Sequence, residues 1–140
     1  MPLIVRDPRL KGGQKTNRLV ELIDLYPTLC ELTGISIPQH CQGRSFKNLL
    51  SDPESGHRLD AYSSYPALKN IGHSIHLKNY RYTEWRNQEN NTVAKVLTDL
   101  QADPGEVTNC IDDPNYADDL AYAQERLDLR INQSLSLIHI

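Results

Sequence analysis

The second half of the chain alternates between apolar and polar positions, which is the pattern of a half-buried β-sheet. Turn-forming residues separate several short runs in which tyrosine and aliphatic side chains recur at every second position. We therefore predict four strands, near residues 61–65, 73–77, 80–85 and 94–100.

The pattern also predicts the register of the central hairpin. If Lys78 and Asn79 form a two-residue turn, in which Asn79 could adopt a positive φ, each residue before the turn has a defined partner after it. One face of the hairpin is then apolar and turned toward a helix, and the other face is polar. The expected pairs are Leu77 with Tyr80, His76 with Arg81, Ile75 with Tyr82, and Ser74 with Thr83.

The first 35 residues predict a strand and a helix. The apolar run at residues 3–5 is rich in branched side chains and is followed by turn signals, which favours a short buried strand. Asp24 is predicted to cap a helix that has Pro27 in its first turn and ends at Gly34. An apolar stripe on this helix needs a surface to cover; it consists of Leu25, Leu29 and Leu32.

The remaining segments are more polar. Residues 36–59 predict a surface connection with one short helical piece near residues 45–50. Asp103 and Glu106 have the spacing of a capping box for a helical turn. A polar helix near the end carries apolar residues at helical spacing, namely Leu120, Ala123 and Leu127.

Composition excludes several classes of protein. A chain of 140 residues, of which 39% are hydrophobic, is long enough for one modest domain. A formal net charge of -3 with interspersed charges argues against nucleic-acid binding. No apolar run could cross a bilayer, and none has the length of a signal peptide's core, so we expect no membrane contact and no export signal in this chain. The three cysteines allow at most one disulfide and form no C-x-x-C motif.

Several motifs, in this order, resemble the C-terminal part of a sulfatase of the iduronate-2-sulfatase-like group: PLIVRDP, DLYPTL, YRYTEW and LTDLQADPGEVTN. The resemblance implies the α/β class: the end of an alkaline-phosphatase-like α/β domain, followed by a small antiparallel sheet with a packed helix. Residues 1–35 would be the last strand and helix of the catalytic domain, 36–59 a connecting loop, and 60–134 the sheet with its terminal helix.

The departures from the family pattern predict a fragment. The family's nucleophile is a formylglycine made in a C/S-x-P-x-R motif, and none of Cys30, Cys41 and Cys110 begins one. The family's calcium site uses segments that would precede PLIV, so this chain is expected to hold no metal and no catalytic residue. Formylglycine and calcium would belong to the parent enzyme, which we expect to be periplasmic, secreted or lysosomal. His73 and His76 replace the Tyr and Arg of the family's G-Y-S-I-R-T segment.

The hairpin supplies the candidate substrate-binding residues. His76 opposite Arg81 could contact a sulfate or a uronic carboxylate, or could be a solvated cross-strand pair in which two cations disfavour protonation of the histidine. His73 near Glu84 is more typical of a surface pair than of an acid–base dyad. Trp85 could stack on a sugar ring, although packing at the end of a sheet is the more common role.

The acidic residues have plain structural interpretations. Asp103 and Glu106 are expected to be helix caps rather than metal ligands. A run of aspartates favours a solvated helix start over a calcium site, because its spacing is not that of an EF-hand. The run consists of Asp112, Asp113, Asp118 and Asp119.

Three functions from different classes are compatible with these residues. The first is the C-terminal portion of a sulfatase acting on sulfated, uronic-acid-containing polysaccharides, inactive without the missing N-terminal catalytic segment. The others are a non-catalytic module that binds sulfated carbohydrate or another anion, and a purely structural domain. Residues 135–140 resemble the translated end of a sequencing adaptor, although a short apolar tail is the alternative.

Overall fold

A computed structural model describes residues 3–135 of the chain. The chain divides into two compact units with the boundary between Leu59 and Asp60, which we call the N-terminal unit and the C-terminal unit. Within the described part, no helix is both long and apolar enough to span a membrane.

The C-terminal unit contains a four-stranded antiparallel sheet in which each strand pairs with the next along the chain. The four predicted strands are confirmed. The strands are β1 (Ala61–Ala67), β2 (Asn70–His76), β3 (Tyr80–Asn87) and β4 (Thr92–Asp99).

The predicted hairpin register is confirmed, because Ile75 lies opposite Tyr82 and His76 opposite Arg81. The turn closes with a hydrogen bond from the Leu77 N–H to the Tyr80 carbonyl (2.8 Å). The positive φ expected at Asn79 is wrong, since Asn79 is not among the non-glycine residues with φ above zero.

One helix, α3 (Ala117–Leu135), covers one face of the sheet. The expected apolar face is therefore confirmed, with Tyr80 partly buried at its margin. The buried cluster between sheet and helix consists of Ile75, Leu77, Tyr82, Leu97, Ala123, Leu127 and Ile131. The alternate side chains point to the opposite face, which we call the open face.

The β1–β2 connection is a tight turn that the sequence pattern does not reveal. Leu68 adopts φ 55°, a left-handed conformation normally taken by Gly or Asn, so neither usual signal marks the turn. As a result β2 begins at Asn70, three residues before the predicted start.

The predicted helical turn after β4 is wrong. Glu106 has φ 55°, which is incompatible with a right-handed helix, and residues 103–110 form a turn followed by irregular structure. The Asp103 carboxylate instead accepts hydrogen bonds from the N–H groups of Val107 and Thr108 (both 2.7 Å). The aspartate run does mark a helix start, because Asp113 accepts from the Asn115 N–H (2.9 Å) before α3.

The N-terminal unit contains the predicted helix, α1 (Leu25–Thr33), and a short helix, α2 (Lys47–Ser51), where a helical piece is expected. Gly34 ends α1 with φ 75°, as predicted. Asp24 occupies the N-cap position of α1, as predicted, but its side chain makes no capping hydrogen bond, because its own backbone is helical and its carboxylate accepts from the Glu21 N–H (2.9 Å). It also belongs to the preceding 3-10 turn, Leu22–Asp24.

One expectation for the N-terminal unit is wrong. Residues 3–5 form no strand, and Ile4 is 90% exposed. The described chain offers these residues no strand partner, so their backbone groups stay in water. Leu29, the centre of the predicted apolar stripe, is 58% exposed, as expected of a stripe that still needs a surface to cover, while α1 buries Pro27, Thr28 and Cys30. The predicted tail at residues 135–140 lies outside the described residues, apart from Leu135, the last residue of α3.

Candidate functional site

Successive side chains of a strand point to opposite faces of the sheet, and this divides the four candidate substrate-binding residues between the two faces. His76 and Arg81 are directly opposite each other, and Trp85 lies opposite Gly72, all with side chains on the open face. His73 is two residues from Ile75 on β2, so its side chain lies on the helix-covered face. The structure therefore brings three of the candidates onto one surface and excludes His73 from it.

Arg81 has an acidic partner that the sequence did not predict. Its Nη1 lies 2.7 Å from Oε1 and 2.8 Å from Oε2 of Glu106, so one nitrogen contacts both carboxylate oxygens. The side chains are 39% and 29% exposed. Glu106 thus balances the charge of Arg81, and the left-handed backbone of Glu106 turns the carboxylate back toward β3. The donors on Nε and Nη2 take no part in this pair.

The surroundings of His76 favour its neutral form. Burial lowers the pKa of the imidazole, and the adjacent Arg81 lowers it further, while Glu106 acts in the opposite direction. This agrees with the expectation that the neighbouring cation disfavours protonation. At neutral pH His76 can therefore donate one hydrogen bond and accept another, without adding charge to the open face.

On the other face, His73 and Glu84 do not form a surface pair. Glu84 is only 5% exposed and accepts hydrogen bonds from the Tyr82 hydroxyl (2.6 Å) and from Arg86 Nη2 (2.7 Å). Burial alone would raise the pKa of Glu84, but Tyr82 and Arg86 together lower it. His73 Nδ1 lies 2.8 Å from the Tyr62 hydroxyl. Glu84 is therefore a structural carboxylate, held ionised beneath α3.

A buried ion cluster in the N-terminal unit also escaped prediction. The fully buried Asp24 carboxylate accepts from Arg58 Nε (2.8 Å) and from the Arg44 N–H (2.7 Å), and it lies 3.4 Å from His57 Nε2. Burial alone would raise the pKa of Asp24, but Arg58 and the backbone donors lower it. Because these contacts join Arg44, His57 and Arg58 of the connection to Asp24 of the 3-10 turn, we interpret this cluster as a clamp that holds the polar connection against that turn.

The described residues do not fit the family's calcium ion. No three His, Cys, Asp or Glu side chains in the described part of the chain come together in a group that could hold a metal. We therefore derive no step of a reaction through a metal bound to this chain.

Comparison with known proteins decides the family. The model of the domain described as "N-sulphoglucosamine sulphohydrolase, C-terminal" matches residues 1–133. The chain belongs to this sulfatase family. The predicted resemblance to the C-terminal part of a sulfatase is confirmed, and so is the mixed α and β fold class.

Individual relatives agree with this family. The chain is 34% identical over 118 residues to arylsulfatase K of Xenopus laevis, covering 78% of this chain and 22% of the relative. It is 31% identical over 142 residues to a Δ4,5-hexuronate-2-O-sulfatase of Bacteroides thetaiotaomicron, covering 96% of this chain and 29% of the relative.

A solved structure described as a 2-O GAG sulfatase superposes with a TM-score of 0.66 at 32% identity, covering 79% of this chain and 24% of that one. The chain thus spans less than a third of the length of each of these sulfatases.

Proposed function

We propose that this chain is the C-terminal portion of a sulfuric ester hydrolase that acts on sulfated, uronic-acid-containing sugars. The match to the C-terminal sulphohydrolase model over residues 1–133 carries the proposal. The uronic-acid preference is supported by the 31% identity to a hexuronate-2-O-sulfatase.

The bond-breaking chemistry would then lie in other segments of the parent protein. None of the cysteines begins a C-x-P-x-R motif. Three serines begin S-x-P, but the fifth residue of each motif is His40, Ser55 or Leu68 instead of Arg. We propose that the rest of the parent enzyme supplies the formylglycine and the calcium ion, and that this chain alone hydrolyses no sulfate ester.

The contribution of this chain would be to orient the sugar. Arg81 keeps donors beyond those used for Glu106, and neutral His76 beside it can donate one more hydrogen bond. A sulfate or a uronic carboxylate presents several acceptor oxygens to such a pair. Because Glu106 already neutralises Arg81, we expect this contact to orient the sugar rather than to dominate its affinity.

A non-catalytic carbohydrate-binding module is the second candidate. The open face favours it, because that face carries hydroxyl, imidazole and aromatic side chains beside an internally balanced ion pair. Such a module would bind sulfated sugars as a stable monomer and would turn none of them over.

The test compares this chain with the protein encoded by the extended reading frame, both with calcium, on aryl and uronyl sulfates. We expect hydrolysis by the extended protein alone. Arg81→Gln in the extended protein should lower kcat/KM for uronyl sulfates by about tenfold, corresponding to about 1.4 kcal/mol. The loss should be smaller for aryl sulfates, which lack the uronic group.

Lys69→Gln is the matched control, because it removes an exposed cation from the β1–β2 turn. Equal effects of Lys69→Gln and Arg81→Gln would contradict the assigned contact. Hydrolysis by the 140-residue chain that disappears on substitution of Cys30, Cys41 or Cys110 would overturn the proposal, because the nucleophile would then lie in this chain.

A further inference from the structure

The indole ring of Trp85 lies flat on the sheet above Gly72. A Cβ added at Gly72 would stand 2.9 Å from Cζ3, 3.0 Å from Cη2 and 3.1 Å from Cε3 of Trp85. These three atoms are consecutive in the six-membered ring. A Cβ in the plane of the ring, beyond its edge, would lie much closer to one of these atoms than to the other two. The three nearly equal distances therefore place the Cβ above the face of the ring. Only a glycine leaves room for this arrangement.

The other face of the indole consequently points away from the sheet. Trp85 is partly exposed, and Tyr65, which lies opposite Gly72 on β1, is 67% exposed. Tyr65 and Trp85 therefore flank the glycine on one rung of the sheet, on strands about 10 Å apart. We call Tyr65, Gly72 and Trp85 the aromatic platform.

The next rung of the open face carries hydroxyl groups. Ser63 lies opposite Ser74, and Ser74 lies opposite Thr83. The Thr83 hydroxyl donates to Ser74 Oγ (2.9 Å). Each hydroxyl can donate once and accept twice, so this bond uses only part of their capacity. An apolar ring face is thus bordered by uncharged hydrogen-bonding groups.

This combination fits a sugar ring. One face of a pyranose presents C–H bonds, which are attracted to the electron-rich face of an indole, and its rim presents hydroxyls that match those of the adjacent rung. A peptide or a lipid would need a wider apolar surface, and the platform offers no cation to a nucleotide phosphate. The structure therefore favours carbohydrate over the other ligand classes.

We propose that the aromatic platform stacks a pyranose ring of the substrate chain, and that this ring is a different sugar from the one whose anionic group reaches Arg81. Trp85 and Arg81 are four residues apart on β3, which is about 13 Å along a strand. One sugar ring cannot span that distance. The choice of a sugar as ligand rests on the proposed function, which it deepens: the substrate is an oligosaccharide with at least two bound rings.

The chain contains a single tryptophan, so its intrinsic fluorescence reports on Trp85 alone. We would titrate the full 140-residue chain with an unsulfated chondroitin tetrasaccharide and with glucuronic acid as the monosaccharide. We expect a saturable change in emission and protection from acrylamide quenching with the tetrasaccharide. The monosaccharide should bind at least tenfold more weakly. No response to the tetrasaccharide at millimolar concentration would overturn the proposal.

Gly72→Ala tests the geometry while keeping the reporter. The new methyl group would displace the indole from its seat, so tetrasaccharide affinity should fall at least tenfold. Gly56→Ala is the matched control, because a Cβ there meets nothing within 4 Å, and it should bind like the unmodified chain. If Gly72→Ala fails to fold, Tyr65→Ala replaces it: an exposed side chain is removed, and affinity should fall by about threefold. Unchanged affinity in a folded Gly72→Ala variant or in Tyr65→Ala would contradict the platform.

The two proposals fail in different ways. If the extended protein hydrolyses no sulfate ester while the fluorescence response and its loss in Gly72→Ala persist, only the enzymatic proposal is wrong. Hydrolysis of sulfated sugars without any response of Trp85 would count against the platform alone.

Discussion

The two units of the chain are stabilised in different ways. In the C-terminal unit, Ile75, Tyr82 and Leu127 are fully buried between the sheet and α3. The N-terminal unit buries the Asp24 carboxylate as well as a few apolar side chains, and it leaves Leu22 and Leu29 68% and 58% exposed; the buried apolar residues are Pro27, Cys30, Phe46 and Leu49. One unit therefore has a continuous apolar core. The other combines a small apolar group with a polar clamp and leaves much of its apolar surface in water.

This difference is consistent with different roles for the two units in the proposed parent enzyme. A sheet that packs on its own helix satisfies its main apolar contacts locally. A helix with exposed leucines has surface available for a partner, and exposed apolar patches commonly mark an interface. We propose that the N-terminal unit contacts the catalytic segment of the proposed parent enzyme, as the resemblance of residues 1–35 to the end of a catalytic domain implies.

The largest expected effect comes from breaking the polar clamp. Asp24→Asn removes the closer of two carboxylates that contact the buried Arg58 guanidinium, the other being Glu21 at 3.4 Å, and should destabilise the N-terminal unit by about 3–5 kcal/mol. Hydrogen exchange of the Glu21 and Arg44 amides measures this loss, because both donate to Asp24. Asp52→Asn is the control, since this exposed aspartate should tolerate the amide. Slow exchange in Asp24→Asn would show that the clamp contributes little.

The second effect tests the apolar core of the C-terminal unit. Leu127→Ala removes a side chain that is 0% exposed and should cost about 2–5 kcal/mol in urea unfolding followed by Trp85 emission. Leu129→Ala is the matched control on the same helix, because Leu129 is 43% exposed. Similar losses in both variants would contradict the packing of α3 on the sheet.

Local patterns predicted the fold of the C-terminal unit well. A period of two sorts side chains onto two faces, and a two-residue turn then fixes which residues are opposite, so the His76–Arg81 pair followed from the sequence alone. The same rule places His73 on the helix face, which the expectation of a surface pair between His73 and Glu84 overlooked. The Leu68 turn was missed because no Gly or Asn marks it.

Contacts between distant residues could not be predicted in the same way. Arg58 lies 34 residues after Asp24, and Glu106 lies 25 residues after Arg81. No periodicity connects such positions, because the pairing depends on how separate loops are placed. The packing of the Trp85 ring on Gly72 was also not predicted, because it depends on knowing that Gly72 lies opposite Trp85.

A smaller effect concerns the pH dependence of the clamp. Burial lowers the pKa of His57, although Asp24 opposes the shift. A histidine whose folded pKa lies below its unfolded value of 6.5 contributes its full stability above that pH and loses it as the pH falls toward the folded value. After correction for the base-catalysed intrinsic exchange rate, the protection factor of the Arg44 amide should therefore fall between about pH 7.5 and 5.5, by less than in Asp24→Asn.

His57→Gln should flatten this pH dependence, because glutamine does not titrate. The measurement must follow amides of the N-terminal unit, since His73 and His76 also have lowered pKa values and make the C-terminal unit sensitive in the same direction. An undiminished pH dependence of the Arg44 protection factor in His57→Gln would assign the effect to Asp24 or to another group.

The smallest expected effect on stability is on the exposed leucines, and it separates the two units most directly. The double substitution Leu22→Gln and Leu29→Gln should change the free energy of unfolding by no more than about 0.5 kcal/mol, because both side chains already lie in water. Self-association of the chain should fall, since the substitutions remove apolar surface that two copies could bury together. Light scattering during size-exclusion chromatography measures the association, and amide exchange in α1 measures the stability. A loss of more than 1 kcal/mol would mean that these leucines support the N-terminal unit from within. The contrast with Leu127 would then disappear, and with it the argument that this unit presents an interface.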